Sequence, residues 1–498
     1  MTLTRRVLIG STLALAGGRA ARAKTNVLII AVGTSPTRLD PLMTTIGDEY
    51  IYDNLVFNGL TRMRADLTVV PDLAESWKYS DDLKQWTFHL RRGVKFHNGR
   101  EIVADDVTAM FKRLLDPATA APSRSNYTMI ANMASPDQYT VVFGLSYAYG
   151  GFADIMSDRQ VKIVPRDLVA QLPTKPIGTG PFMFKSYTPN DRMVLVKNPD
   201  YFEAGLPKLE GVELRIIPEM SVKISALRAG DVDIVWQLPL DQVKELSSDP
   251  ALRVDSVATG SWDAAVMNNI NPPFNDVRVR RAFQLAVDKR DVVALTLFGQ
   301  GAPTISPIPP SSPFYAHDIV IPKADPAAAR KLLAEAGHPN GLKIQLIVPV
   351  GRPVRERLGV TLQQLAQPAG FDIDVQRVPF SSYDAEVSGK APFYIDGYFA
   401  RPTVDTGTYP FLHSDGSWNE RLWHYKNAAV DQALDAARQT GDKEKQKADY
   451  VAMQQALNDD PCGFFAYSVN YACAYRKSVR NVETHPMQWF DLRHATIG

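Results

Sequence analysis

Three observations predict a multidomain α/β fold for this chain of 498 residues. Short β-branched runs alternate with amphipathic helices from end to end, the pattern of mixed α/β architecture. The length calls for about three domains at roughly 150 residues each. The composition, 45% hydrophobic with 22% charged residues, is that of an ordinary globular protein.

The elements justify this reading in order. Arg5-Arg6, an apolar stretch from Val7 to Ala16 and then Ala21-Arg22-Ala23 have the layout of a cleavable export signal spanning residues 1–23. The stretch is too short, and too broken by Gly10, Gly17 and Gly18, for a membrane span of roughly 20 apolar residues. Thr4-Arg5-Arg6-Val7-Leu8 also resembles a twin-arginine signal, with a general secretory leader as the alternative. No cysteine follows the apolar stretch, so a lipid anchor is not expected. Cleavage removes four arginines and no acid, taking the formal net charge from +1 to −3. That balance leaves no electrostatic footprint for nucleic acid or an anionic membrane.

Asn26 to Val32 is an apolar run that predicts a buried strand, followed by the turn-rich loop Thr34 to Pro41. A longer unit runs from Pro71-Asp-Leu-Ala-Glu-Ser-Trp77 to Leu114-Leu-Asp-Pro117. Within it Thr87 to Leu90 predict a strand and Asn98-Gly99 a tight turn. Val107, Phe111, Leu114 and Leu115 then recur at helical spacing, with Asp105 and Asp106 in the first turn, where the helix dipole favours anions. Pro176-Ile-Gly-Thr-Gly-Pro-Phe182 marks a crossing, and its spacing does not fit a phosphate-cradling loop. Ala226 to Trp236 predict a helix stopped by Gly230 and then a short strand. Asn275-Asp276 cap a helix carrying Val279, Ala282, Phe283, Ala286 and Val287 on one face. Asp325, Pro326 and Gly337 delimit another helix. Leu342 to Val350, Phe371 to Val378 and Phe393 to Tyr398 are strand-like. Near the end, Gly463 to Tyr467 and Asn470 to Tyr475 suggest a hairpin turning near Ser468. That hairpin would bring Cys462 and Cys473 together as a disulfide, two buried thiols being the alternative.

The 71–117 unit resembles the signature region of the family 5 extracellular solute-binding proteins, receptors of ABC importers for peptides and nickel. Arg38-Leu39-Asp40-Pro41, Gly178-Thr-Gly-Pro-Phe182, Asn198-Pro-Asp-Tyr-Phe202 and Ala226 to Val235 are similar to further segments of that family. The resemblance implies a periplasmic binding protein-like fold, type II, with three domains in two hinged lobes. Residues 24–65, 177–265 and 474–498 would form the first domain, 66–176 a domain inserted in the same lobe, and 266–473 the second lobe. It further implies a monomer in the periplasm, without a cofactor, that hands a peptide or an acidic organic solute to permease subunits and an ATPase. A nickel or metal-chelate receptor is the alternative within the family. The eight histidines show no H-x-H or i,i+4 pairing to support it. A periplasmic hydrolase is more remote, because the chain offers no G-x-S-x-G, H-E-x-x-H or P-loop motif.

The same resemblance directs attention to Gly397-Tyr-Phe-Ala-Arg-Pro-Thr-Val-Asp405 and to Phe411 through Asn419. Peptide-binding members have a pattern similar to W-x-x-D-x-x-D-P there, whose first aspartate holds a peptide's terminal ammonium. This chain departs from it: Tyr398 stands for the aromatic, Arg401 falls at or beside the anchoring aspartate, and no proline follows Asp405. A guanidinium repels an ammonium and grips a carboxylate or phosphate with a planar fork of donors. The expected ligand-binding residues are therefore Tyr398, Arg401, Asp405 and Trp418, with Trp236 and Tyr467 as additional aromatic candidates. An ion pair between Arg401 and Asp405 that only shapes the loop is the alternative.

Overall fold

The computed structural model describes residues 26–498, so the expected leader lies outside the described residues. Its framework is an eleven-stranded sheet. The buried strand Val27–Val32 lies between Gly211–Ile216 and Ile234–Val235, parallel to both. Arg192–Lys197 and Phe182–Thr188 extend this half in antiparallel fashion. At the other end Leu342–Val350 lies between Phe371–Pro379 and Phe393–Tyr398, parallel to each.

Two long antiparallel strands, Leu252–Met267 and Phe464–Arg476, join the halves. Leu252 to Ala258 pair with Arg476 to Asn470 in the first half, and Trp262 to Ala265 pair with Ser468 to Phe464 in the second. Between Ala258 and Trp262 the register shifts. Such a bulge leaves backbone groups unpaired and bends the strand. Here the Thr259 hydroxyl donates to the Val469 carbonyl at 2.7 Å and accepts from the Ser261 amide at 3.0 Å. The chain then returns to where it began: Val479–Arg480 pairs with Thr496–Ile497, and Arg493 binds Glu203 of the first half.

Cys462 and Cys473 are not bridged. Phe464–Arg476 is one strand of thirteen residues, so no hairpin forms at Ser468. At about 3.3 Å per residue the two cysteines sit on the order of 30 Å apart, beyond the roughly 7 Å a disulfide can span. Both are free and buried. Ser468-Val-Asn470 looks like a turn in sequence, yet it is the stretch where the strand passes from one half of the sheet to the other. Burial pushes the Cys473 thiol up to about 11, and raises Cys462 further, so neither is a thiolate at neutral pH. Denatured, unreduced protein is expected to give two reactive thiols per chain in a thiol assay. Finding none would contradict this geometry.

The segment expected to form an inserted domain builds a separate four-stranded antiparallel sheet from Ala74–Tyr79, Gln85–Leu90, Thr140–Leu145 and Ile130–Asp137. The helix Ala104–Leu115 covers it, and Val107, Phe111 and Leu114 are buried as their spacing predicts. Phe111 meets Phe143 edge to face at 5.0 Å, and Phe143 meets Phe152 at 5.3 Å. Asp106 does more than favour the helix dipole. It is fully buried, accepts from the Val103 amide at 3.1 Å, and pairs with Arg100 at 2.7 Å and Arg166 at 3.1 Å.

The other punctuation also has physical causes. Asp276 and Asp325 cap their helices by accepting from the Arg278 and Ala328 amides at 2.8 and 2.9 Å. Gly178 and Gly180 let chains pass in close contact: a Cβ at Gly178 would lie 2.0 Å from the Val56 carbonyl oxygen. His97 locks the same crossing, accepting from the Gly178 amide at 3.3 Å and facing the Gly180 carbonyl at 3.0 Å. Burial lowers this imidazole to about 4, so it stays neutral.

Candidate functional site

The site is built where the two halves meet, and it starts from the loop that leaves Val27–Val32. The helix Gly47–Val56 carries Asp48 and Glu49 in its first turn. Asp48 accepts from the Gly33 and Thr34 amides at 3.1 and 2.5 Å, and Glu49 accepts from the Thr37 and Arg38 amides at 3.0 and 3.1 Å. These bonds fix the loop against the helix and set the position of Tyr50, the next residue.

Arg159 follows the short helix Phe152–Ile155. Its guanidinium lies 4.1 Å from the centre of the Tyr50 ring, and one nitrogen reaches the Ala400 carbonyl of the opposite half at 3.5 Å. Only 6% of Arg159 is exposed. On the other side Arg401 leaves the end of Phe393–Tyr398, and the Ala400 amide before it donates to Ser261 at 3.0 Å. The bulge in the joining strand therefore positions the arginine loop. Burial and the like charge of Arg159 lower the pKa of Arg401, and Asp158 offsets part of this. Neither Arg159 nor Arg401 has a carboxylate within 4.0 Å among the described residues. Asp158 is itself engaged, accepting from the Gln160 amide at 3.2 Å and from the Tyr127 hydroxyl at 3.5 Å.

The alternative role for Arg401, an ion pair with Asp405, is not what the structure shows. The helix Val404–Leu412 begins at Thr403, whose side chain accepts from the Thr406 amide at 3.1 Å, and it aims Asp405 away from Arg401. Asp405 instead pairs with Arg438 at 2.6 and 3.1 Å and accepts from the Tyr149 hydroxyl at 2.9 Å. Its oxygens thus tie the inserted sheet's segment to the second half. The Gly150 amide adds a bond to the Arg438 carbonyl at 2.9 Å, and Lys443 reaches Asp154 at 3.3 Å.

The remaining sequence-derived candidates divide. Tyr398 is half-buried at the edge of an aromatic cluster, with ring centres 5.3 Å from Trp262, 4.8 Å from Phe411 and 5.1 Å from Trp418. Trp418 is half-buried and stacks on Phe411 at 6.1 Å. Arg401 follows Tyr398 by three residues at the end of the same strand, and the Tyr398 phenol lies within its electrostatic reach. Trp236 is buried against the helix that carries Tyr50: a Cβ on Gly47 would lie 2.4 Å from its indole. Its Nε1–H has no hydrogen-bond partner among the described residues. Tyr467 lies in the core and donates to Asp263 at 3.1 Å, supporting a network in which Arg355 holds Asp263 and Asp396. Sequence reasoning missed Tyr50 and Arg159, which no motif or spacing singles out.

One histidine near this region is occupied. His413 stacks on Tyr409 at 4.2 Å and lies 3.6 Å from Asp435. Among the described residues no group of three or more His, Cys, Asp or Glu side chains is placed to hold a metal ion.

Comparison with known proteins gives a consistent result. The family described as bacterial extracellular solute-binding proteins, family 5, matches residues 68–419. Di/tripeptide-binding protein 1 of Pseudomonas aeruginosa is 33% identical, over 95% of this chain and 94% of its own length. Among solved structures, HbpA2 from Haemophilus parasuis superposes with a TM-score of 0.86 at 23% identity, covering 95% of this chain and 100% of its own. The oligopeptide-binding protein AppA from Bacillus subtilis, solved with a nonapeptide, gives 0.77 at 26% identity, with 95% and 98% covered.

Proposed function

Because the chain belongs to the family 5 bacterial extracellular solute-binding proteins, we propose that it captures a peptide or a peptide-like acidic solute between its two halves and delivers it to the permease of an ABC importer. The observation that carries this reading is the pair of joining strands, interrupted at Ala258–Trp262, with Tyr50 and Arg159 from one half facing Tyr398 and Arg401 from the other. Closure about that interruption brings both sets of groups onto one solute. A ligand touching both halves stabilises the closed state by its differential affinity for it.

In this reading the first lobe comprises residues 24–65, 177–265 and 474–498, with 66–176 inserted into it, and the second lobe comprises 266–473. Tyr398, Arg401 and Trp418 line the solute, Trp236 closes the first-lobe wall, and Asp405 and Tyr467 act indirectly through closure and support. The protein is exported to the periplasm by residues 1–23 and works there as a monomer. Among the described residues no helix is long and apolar enough to cross a membrane. Catalysis has no part in the proposal, and a metal-chelate cargo is second to an organic one because among the described residues no group of three or more His, Cys, Asp or Glu is placed to hold a metal ion.

The test is direct. Mature protein purified without refolding is denatured, and the released small molecules are identified by mass spectrometry. Adding the identified solute back to stripped protein is expected to reduce the radius of gyration in X-ray scattering. A scattering profile that stays the same with every candidate solute would refute the receptor reading.

A further inference from the structure

We propose that Arg159 and Arg401 form a two-sided clamp for one carboxylate of the solute, so that the transported molecule is an organic acid and its acid group draws the halves together. This rests on the receptor reading above and narrows it to a ligand class.

The argument is one of unmatched charge. Buried charges in proteins are ordinarily paired, because an unpaired ion away from water costs several kcal/mol. Here two guanidiniums from opposite halves lie in each other's field, and neither has an acid within ion-pair distance among the described residues. Arg159 is nine-tenths buried. Of the nearby acids, Asp158 supplies one negative charge against these two positive ones, and it is already hydrogen-bonded. Lys162 also faces Asp158, so positive charge is in excess around the two arginines, and a solute carboxylate offsets it.

Hydrogen bonding leads to the same class. The region offers donors in excess: both guanidinium forks project from opposite halves, and neither meets an acid among the described residues. Arg159 spends one N–H on the Ala400 carbonyl, at a long 3.5 Å. A carboxylate brings about four lone-pair sites and no donor, so it fits a donor-rich site. A terminal ammonium brings only donors and a positive charge, so it does not. The Tyr50 ring lies under the Arg159 guanidinium, and half-buried Tyr398 stands three residues before Arg401, so aromatic surface borders the pair from both halves.

The clamp is tested on full mature protein by calorimetry at neutral pH with matched probes: trialanine against its C-terminal amide, and glucuronate against glucose, together with whatever solute co-purifies. The co-purified solute is expected to carry a carboxylate, and the acid of a bound pair to exceed its neutral partner by at least tenfold. R401Q is expected to weaken the acid at least tenfold more than its neutral partner, with R401K restoring part of the loss. R159Q should do the same, and because Arg159 is more deeply buried its fold is checked by near-ultraviolet circular dichroism. R401Q alone decides the matter if R159Q does not fold. A neutral co-purified solute, or an acid and amide bound equally and indifferent to R401Q, would overturn the clamp and leave the receptor reading standing. Absence of any bound or co-purified solute, with unchanged scattering, would instead overturn the receptor reading and the clamp with it.

Discussion

Adding one methyl group at Gly150 is expected to hold the halves apart and to weaken solute binding by roughly 5- to 150-fold. A Cβ built there would lie 2.1 Å from the Thr440 carbonyl oxygen and 2.8 Å from its carbon, both main-chain atoms of the opposite half. Neither can swing aside as a flexible side chain could. The backbone at Gly150 is not in the left-handed region, so alanine brings no local strain, and the conflict exists only when the halves touch. Overpacking of this kind costs about 1–3 kcal/mol, which is the stated range of affinity. The fold should be unaffected, because the clash is relieved by opening. Calorimetry and scattering on G150A check this, with G151A as the control, since a Cβ there meets nothing closer than 3.6 Å. Wild-type affinity in G150A would mean that this contact is not part of the bound state.

The largest expected effect on stability is at Arg355. This side chain binds Asp263 on the joining strand at 2.8 Å, Asp396 on its neighbour at 2.9 Å, and the Gly397 carbonyl at 2.5 Å. Both aspartates are 8% exposed, so R355A strands two buried carboxylates. Removing one partner of a buried ion pair costs about 3–5 kcal/mol, visible as a lower urea midpoint. The pH dependence has a definite sign. Burial, only partly offset by Arg355, raises Asp396 above the usual carboxylate range, so the folded chain holds that proton more tightly than the unfolded chain does. Stability from this group is present at low pH and is lost as pH rises through the folded value. Without Arg355 that value rises further, so the deficit of R355A should be smaller at pH 5 than at pH 8. A deficit below about 1 kcal/mol at pH 8 would show that the network is solvated and carries little of the stability.

How much of this was legible in the chain depended on whether the cause was local. The caps at Asp276 and Asp325, the stop at Gly230 and the buried face of Ala104–Leu115 follow from neighbours within a turn or two, and all were readable. Leu342–Val350 and Phe393–Tyr398 were readable as strands for the same reason. The passage of Phe464–Arg476 through both halves was not: only its partner Leu252–Met267, distant in sequence, makes Ser468 a strand residue and not a turn. The site shows the same division. A departure from a family pattern pointed to Arg401. Tyr50 and Arg159 reach it only through folding, and the aromatic character that drew attention to Tyr467 reflects a core position.

The return of the chain to its starting half has a practical corollary. On the proposed closure, fluorophores placed near Asn26 and near Thr496 would both sit in the first half, and energy transfer between them would stay silent as the halves close. A reporter of solute capture must pair one of these positions with a surface position on the helix Pro326–Glu335, in the half to which neither belongs.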